Sequence, residues 1–120
     1  MALILFIDDD LGSRFLYAKA CTILGHQSLL ADSGRQGLTI AIERQPNLIV
    51  LDLSLPDMDG LDVLKQLRQG NPTAHIPVVI VSAGVSEQDP QISKAAGAAA
   101  YLNKPVGLNA LQNAIEQFAV

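Results

Sequence analysis

The sequence predicts an α/β domain whose parallel sheet is covered by helices on both faces, and two observations support this prediction. First, four runs are apolar on successive residues and rich in Ile, Val and Leu: Leu3–Ile7, Leu48–Leu53, Val78–Val81 and Ala99–Leu102. Continuous rather than alternating hydrophobicity is typical of strands that are buried on both faces. Second, segments with helical spacing separate these runs. With a shorter run at Ser28–Ala31, nearer an edge, the order becomes β-α repeated five times, which implies right-handed crossovers.

Apolar spacing and capping residues locate the helices between the strands. Ser33 is the predicted N-cap of the second helix, and Gly25 follows the first helix at the position of a C-cap. Asp89 is the predicted N-cap of a short fourth helix that begins at Pro90 and is stopped by Gly97. The predicted inward faces are Leu16, Ala20, Ile23 and Leu24; Leu38, Ala41 and Ile42; Leu61, Leu64 and Leu67; and Leu108, Leu111, Ile115 and Phe118.

Composition limits the class of protein. A chain of 120 residues with 49% apolar and 17% charged side chains suits one folded domain spanning 1–120 and is unlike a disordered segment. The net charge of −4 argues against direct nucleic-acid binding, which needs clustered Lys and Arg. No apolar run approaches the roughly 20 residues of a membrane span. A single cysteine, Cys21, can form neither an internal disulfide nor a metal cluster, so we expect a cytoplasmic protein.

Half of the acidic side chains are crowded into two short stretches, Asp8 to Asp10 and Asp52 to Asp59. In open α/β sheets, ligands bind at the carboxyl ends of the strands. The first predicted strand ends in Asp8-Asp9-Asp10 and the third in Asp52, while Ser82 and Lys104 follow the fourth and fifth. We therefore expect carboxylates, a hydroxyl and an ammonium group to converge at one edge of the sheet.

This set of side chains favours phosphoryl chemistry. Carboxylates held close together repel each other unless a cation lies between them, and oxygen ligands of this kind suit Mg²⁺. A metal held there, with Lys104 and Ser82 nearby, would neutralise and orient a phosphoryl group. One of the carboxylates could then act as the nucleophile and form an aspartyl phosphate.

The sequence resembles the receiver domain of two-component response regulators, in the single-domain form of chemotaxis regulators. Four segments carry the resemblance, in order and at strand ends: Ile4–Asp10, Leu51–Gly60, Val78–Ala83 and Tyr101–Pro105. The resemblance implies a flavodoxin-like doubly wound sheet of five parallel strands in the order 2-1-3-4-5, with five helices. It also implies a cis peptide bond between Lys104 and Pro105.

The resemblance assigns roles to the acidic residues and the lysine. It implies that Asp52 accepts a phosphoryl group from a sensor histidine kinase or a histidine phosphotransfer protein. Asp8 and Asp9 would bind Mg²⁺ together with Asp52 and the backbone carbonyl of Ser54, and Lys104 would pair with the phosphoryl oxygens. Such a domain catalyses its own phosphorylation and dephosphorylation and is not a metabolic enzyme.

The resemblance also implies a switch. Ser82 would donate its hydroxyl to the phosphoryl group, and Tyr101 would turn inward behind it, altering a surface that a downstream protein target recognises. Ser54 and Gly84, each two residues after a site residue, are small and leave the lifetime of the phosphorylated state open. No effector domain follows Val120, so the sequence suggests a stand-alone receiver or, equally, a piece of a larger regulator or hybrid kinase.

Two other functions compete with this interpretation. One is a receiver-like module that binds partners without phosphorylation, and the other is a haloacid-dehalogenase-like phosphatase, suggested loosely by Asp8–Gly12. Several conspicuous residues have simple structural interpretations: Asp10 as a helix cap, Asp57 and Asp59 as residues that shape a loop, Gly60 as a backbone requirement, Cys21 as core, and His26 and His75 as loop or strand-end residues.

Overall fold

The computed structural model describes residues 1–70, 72–83 and 89–119, with Asp89 described by its backbone alone. The described strands are all parallel and form one sheet in the order β2-β1-β3-β4-β5. Their bounds are β1 Leu3–Ile7, β2 Gln27–Ala31, β3 Leu48–Asp52, β4 Val78–Ser82 and β5 Ala100–Asn103. This order and the edge position of β2 confirm the predicted fold, and β5 is displaced by one residue from its predicted bounds.

Helices cover both faces of the sheet. Their bounds are α1 Leu11–Ile23, α2 Gly34–Arg44, α3 Gly60–Gln69, α4 Asp89–Ala95 and α5 Leu108–Phe118. Helices α1 and α5 share one core cluster with the sheet, while α2 and α3 share the other. Within the part of the chain that is described, no helix is long and apolar enough to cross a membrane.

The central strands are buried on both faces because each one contributes to both core clusters. In β1, Ile4 and Phe6 pack toward α1 and α5, whereas Leu5 and Ile7 pack toward α2 and α3, and all four are fully buried. The alternation of side chains along a strand makes this division obligatory. A strand with apolar residues at every position can therefore sit only in the middle of a three-layer domain, as its sequence predicts.

The prediction of which helix residues face the core is partly wrong. Four residues expected to point inward are more than half exposed: Leu16, Ile23, Ile42 and Leu108. The buried face of α1 is instead formed by Tyr17, Ala20 and Cys21, because the Tyr17 ring stacks on Phe6 with 4.8 Å between ring centroids. Burial also raises the pKa of the Cys21 thiol to about 11, as expected for a core cysteine.

Helix α2 approaches the sheet through small residues, which explains why Ile42 is left outside. A Cβ added to Gly37 would lie 2.4 Å from Ile7 Cδ1, so the helix packs directly against β1 at this glycine. Ala41, one turn further on, is fully buried on the same face. Apolar spacing alone gave more weight to the larger Ile42 than to the glycine that makes the close approach.

The predicted helix ends are mostly confirmed. Ser33 is the N-cap of α2 and accepts a hydrogen bond from the Gln36 amide, while Gly25 follows α1 with a φ of +80°. Helix α4 is short, as predicted, but it already includes Asp89, so Asp89 is not its N-cap and the capping position lies outside the described residues. The Lys104–Pro105 peptide bond is cis, as the resemblance implies.

Candidate functional site

The register of the two central strands brings Asp8 and Asp52 together. Ile7 of β1 pairs with Leu51 of β3, so the next residue on each strand lies at the carboxyl edge of the sheet. Both aspartates are buried, while the adjacent Asp9 is exposed. One carboxylate oxygen from each of Asp8, Asp9 and Asp52 lies within 4.8 Å of the others, as the strand-end pattern predicts.

Lys104 follows the edge strand β5, and its side chain forms ion pairs with both buried carboxylates. Its Nζ donates to Asp8 Oδ2 at 2.9 Å and to Asp52 Oδ2 at 3.0 Å. The Lys104 amide donates to the carbonyl of Ser82 at 2.8 Å, which fixes the start of the loop after β5. The ammonium group thus extends past the end of β4 to Asp8 and Asp52, which the strand-end pattern predicts to lie near it.

The other oxygens of these carboxylates accept backbone hydrogen bonds. The Asp10 amide donates to Asp8 Oδ1 at 2.9 Å, and the Ser54 amide donates to Asp52 Oδ1 at 3.1 Å. Arg14, which the sequence gave no reason to single out, donates from Nη1 to the backbone carbonyl of Asp8 at 2.8 Å. Both buried side chains are therefore held in one orientation before any ligand binds.

The electrostatics of the site call for an additional cation. Burial raises the pKa of Asp52 and the charge of Asp8 adds to the effect, against the lowering by the Ser54 amide and Lys104. Burial alone would lower the pKa of Lys104, but its two carboxylate partners outweigh this and raise it. When all groups are ionised, three carboxylates and one ammonium leave a net charge of −2. Clustered carboxylate oxygens with this excess charge fit a hard divalent cation such as Mg²⁺.

Ser82 and Tyr101 lie on the same face of the sheet. Ile80 of β4 pairs with Tyr101 of β5, and Ser82 is two residues beyond Ile80, so all three side chains project to one side. Ser82 is buried at the end of β4, and Tyr101 is half-buried. The phenolic oxygen of Tyr101 is buried without a hydrogen-bond partner among the described residues, and the residue lines a cavity of about 240 Å³ beside α4.

Two of the remaining acidic residues cap the helices that follow them. Asp10 is the N-cap of α1 and accepts from both the amide and the hydroxyl of Ser13, at 2.8 Å each, and these bonds lower its pKa. Asp59 is the N-cap of α3 and accepts from the Leu61 amide at 3.0 Å. The interpretation of Asp10 as a helix cap is confirmed, whereas Asp59, interpreted from the sequence as a loop-shaping residue, is also the cap of α3.

Gly60 and Asp57 shape the loop between β3 and α3. A Cβ on Gly60 would lie 2.5 Å from Leu53 Cα and 2.7 Å from the carbonyl oxygen of Asp52, so the backbone of the site leaves no room for a side chain. Asp57 accepts from the amides of Gly34 and Arg35, which belong to the start of a different helix. The predicted loop-shaping role of Asp57 is confirmed, but nothing in the sequence indicates that its partner is the start of α2.

The comparisons with known proteins agree with this geometry. The family model of the response regulator receiver domain matches residues 4–116. Protein PilH of Pseudomonas aeruginosa is 34% identical over 106 residues, which cover 88% of this chain and 88% of PilH. The KDP operon regulatory protein KdpE of Escherichia coli is 37% identical over 112 residues, covering 93% of this chain. This chain spans 48% of KdpE, about half the length of that relative.

Solved structures give the same answer for the fold. The chemotaxis protein CheY4 of Vibrio cholerae superposes with a TM-score of 0.91 at 25% identity, covering 98% of both chains. The receiver domain of the sensor histidine kinase PA1611 from Pseudomonas aeruginosa has a TM-score of 0.89 at 23% identity, covering 98% of this chain and 97% of its own. Its structure holds a magnesium ion in the active-site cleft.

These matches decide between the functions that the sequence left open. The segment Asp8–Gly12, which suggested a phosphatase, lies within the match to the receiver family model, so the receiver interpretation replaces the phosphatase interpretation. The alternative of a receiver-like module that binds partners without phosphorylation is not favoured. This chain belongs to the response regulator receiver domain family and has a phosphoacceptor role in two-component signalling.

Proposed function

We propose that Asp52 accepts a phosphoryl group from a phosphohistidine on a sensor kinase or phosphotransfer protein, and that this charge switches a surface read by a downstream protein. The observation that carries the proposal is the pairing of one ammonium group with two buried carboxylates, at 2.9 Å to Asp8 and 3.0 Å to Asp52. A phosphoryl group on Asp52 would present new anionic oxygens to Lys104 in place of the carboxylate oxygen that it now contacts.

We propose Mg²⁺ as the metal of this site, held by the side chains of Asp8, Asp9 and Asp52 and by the backbone carbonyl of Ser54. The clustering of the three carboxylates within 4.8 Å supports this ligand set, as does the magnesium ion in the PA1611 receiver domain. When bound, Mg²⁺ supplies positive charge that offsets the phosphoryl oxygens during transfer.

The transfer itself requires little beyond orientation and charge. A carboxylate oxygen of Asp52 forms a bond to phosphorus as the bond from phosphorus to the histidine nitrogen breaks, and its electron pair leaves with the imidazole. A proton on the other ring nitrogen lets that imidazole depart neutral. Lys104 moves its hydrogen bond from Asp52 to a phosphoryl oxygen and remains protonated, which its raised pKa favours. Asp8 keeps its contact with Lys104 and so holds the ammonium group near the phosphoryl oxygens.

We assign the switch to Ser82 and Tyr101. Ser82 is buried at the end of β4, where its hydroxyl can turn toward a phosphoryl group on Asp52 of the neighbouring strand. Tyr101 lies on the same face, with a buried phenolic oxygen that has no partner among the described residues and a cavity beside it. A movement of Ser82 toward the phosphoryl group would let Tyr101 repack, and the surface formed by α4 and β5 would change with it.

The helix beside the site offers a surface for the phosphodonor. Leu11 and Phe15 of α1 are each 71% exposed, and Leu16 next to them lines a groove together with Lys104 and Pro105. A donor histidine has to come within bonding distance of Asp52, so the protein that carries it must cover the adjacent surface of α1 and the groove. We propose that apolar side chains of the donor pack on Leu11 and Phe15. We propose that the chain acts in the cytoplasm.

Phosphorylation by a small donor tests the proposal without a partner protein. The chain is incubated with acetyl phosphate, with and without Mg²⁺, and analysed by intact-mass spectrometry. We expect an adduct of one phosphoryl group that requires Mg²⁺, is absent from Asp52→Ala and persists in the control Asp62→Ala, whose carboxylate is exposed on α3. An adduct that persists in Asp52→Ala, or is missing from the wild-type chain with Mg²⁺, would overturn the assignment.

A further inference from the structure

Asp57 connects the loop that follows β3 to the start of α2, which is distant in the sequence. Its Oδ1 accepts from the Gly34 amide at 2.8 Å, and its Oδ2 accepts from the Arg35 amide at 3.0 Å. These amides are among the first N–H groups of α2, which have no partner within the helix, and the helix dipole favours a negative charge there. The cap of α2 itself, Ser33, serves a different amide, that of Gln36. The two interactions at this helix end are therefore separate.

Met58 reinforces the connection beside Asp57. A Cβ on Gly34 would lie 2.4 Å from Met58 Cγ, so the first residue of α2 has no side chain at the place that Met58 occupies. Two successive loop residues thus contact the start of α2, one through hydrogen bonds and one through packing. The exposed carboxylate of Asp57 is held at both oxygens, and hydrogen bonds from the Arg35 and Gly34 amides lower its pKa.

The same loop contains the backbone carbonyl that we assign to the metal. The loop is closed at its base, because Ser54 forms an antiparallel bridge with Asp59 and the Gly60 amide donates to the Leu53 carbonyl at 3.0 Å. Asp57 lies between the two bridge residues in the chain. The loop thus connects the contacts that Asp57 makes with α2 to the peptide groups that flank Ser54.

We propose that Asp57 is a positioning residue that, by attaching this loop to the start of α2, holds the carbonyl of Ser54 in place for Mg²⁺. This rests on the metal site of the proposed function. Asp57 itself touches neither metal nor phosphoryl group. Losing residues that orient metal ligands typically lowers metal affinity by about 10- to 100-fold. Because Asp57 acts through the loop backbone, we expect the lower end, an increase of about 10-fold in the Kd for Mg²⁺.

Two variants at the same helix end separate positioning from helix stability. Asp57→Ala releases the loop from α2, whereas Ser33→Ala removes the cap of α2 and leaves the loop attached. Isothermal titration calorimetry gives the Kd for Mg²⁺ of each chain, and thermal unfolding without metal gives its Tm. We expect Asp57→Ala to raise the Kd and Ser33→Ala to lower the Tm without raising the Kd. Asp57→Asn keeps one acceptor oxygen and should lie between the wild type and Asp57→Ala.

Amide hydrogen exchange measured without Mg²⁺ provides a readout independent of metal binding. We expect faster exchange at the Gly34 and Arg35 amides and at the Ser54 amide in Asp57→Ala. An unchanged Kd in Asp57→Ala, or the same increase in Ser33→Ala, would overturn the positioning role while leaving the proposed function intact. Absence of Mg²⁺ binding by the wild-type chain would instead overturn the metal site itself, and the positioning role with it.

Discussion

Replacing Lys104 by Ala should destabilise the fold, because it leaves two buried carboxylates without their cation. At an effective dielectric constant of about 20, unit charges about 3 Å apart attract by roughly 5.5 kcal/mol. That attraction applies to each of the two carboxylates that Lys104 contacts, but the net loss is smaller, since the Lys104 side chain keeps 25% of its surface exposed and its own desolvation cost is recovered in the variant. Removing one partner of a buried ion pair typically costs about 3–5 kcal/mol. We therefore expect a loss of about 3 kcal/mol in the free energy of unfolding of Lys104→Ala.

Urea unfolding in the presence of a chelator measures this loss. For a domain of this size, a slope of about 1–3 kcal/mol per molar urea converts the loss into a midpoint lower by about 1–3 M. Mg²⁺ at about 100 times its Kd should return up to about 2.7 kcal/mol, because the proposed metal site exists only in the folded chain. Lys19→Ala, at an exposed position of α1, is the matched control. A midpoint for Lys104→Ala equal to that of Lys19→Ala would refute the electrostatic reasoning.

Three further predictions concern the surface, the backbone and the pH dependence. Phe15→Ala should slow transfer from a phosphohistidine donor but not from acetyl phosphate, while Ile23→Ala, 65% exposed at the far end of α1, should change neither rate. Gly60→Ala should lower the free energy of unfolding by more than about 2 kcal/mol in chemical denaturation because its Cβ would meet backbone, whereas Gly107→Ala, with no atom within 4 Å of the new Cβ, should cost no more than the roughly 1 kcal/mol expected for Ala at the N-cap of α5. The pKa of Asp57 is lowered in the fold, so its contribution is fully present above its unfolded pKa of about 3.9 and is lost as the pH falls through the folded value. The Tm difference between wild type and Asp57→Asn should accordingly shrink in acid, and a difference that grows in acid would contradict the assignment.

The central part of the fold was predictable because it depends on the simplest signal in the sequence. Strands that are apolar at every position have to be buried on both faces. Because such strands alternate with helices along the chain, only a few arrangements of the sheet are possible. Asp8, Asp52, Ser82 and Lys104 were predictable because each lies at the carboxyl end of an apolar run: Asp52 and Ser82 are the last residues of β3 and β4, and Asp8 and Lys104 follow β1 and β5. The strand order came from the family resemblance, because apolar runs do not identify their neighbours.

The helix faces and the long-range contacts were less accessible. Apolar spacing gave Leu16 and Ile42 to the core, but an aromatic pair and a close approach at Gly37 set the rotation of α1 and α2. The contacts of Arg14 with the Asp8 carbonyl and of Asp57 with the start of α2 depend on where a loop returns in space. No periodicity in the sequence encodes such distances.

Chemical localisation of the phosphoryl group tests the central assignment most directly. After phosphorylation with Mg²⁺, borohydride reduction converts a phosphorylated aspartate into homoserine, which peptide mass spectrometry places in the sequence. We predict homoserine at position 52 alone. Homoserine at position 8, 9 or 57, or none in a chain that carries the phosphoryl adduct, would contradict the role of Asp52.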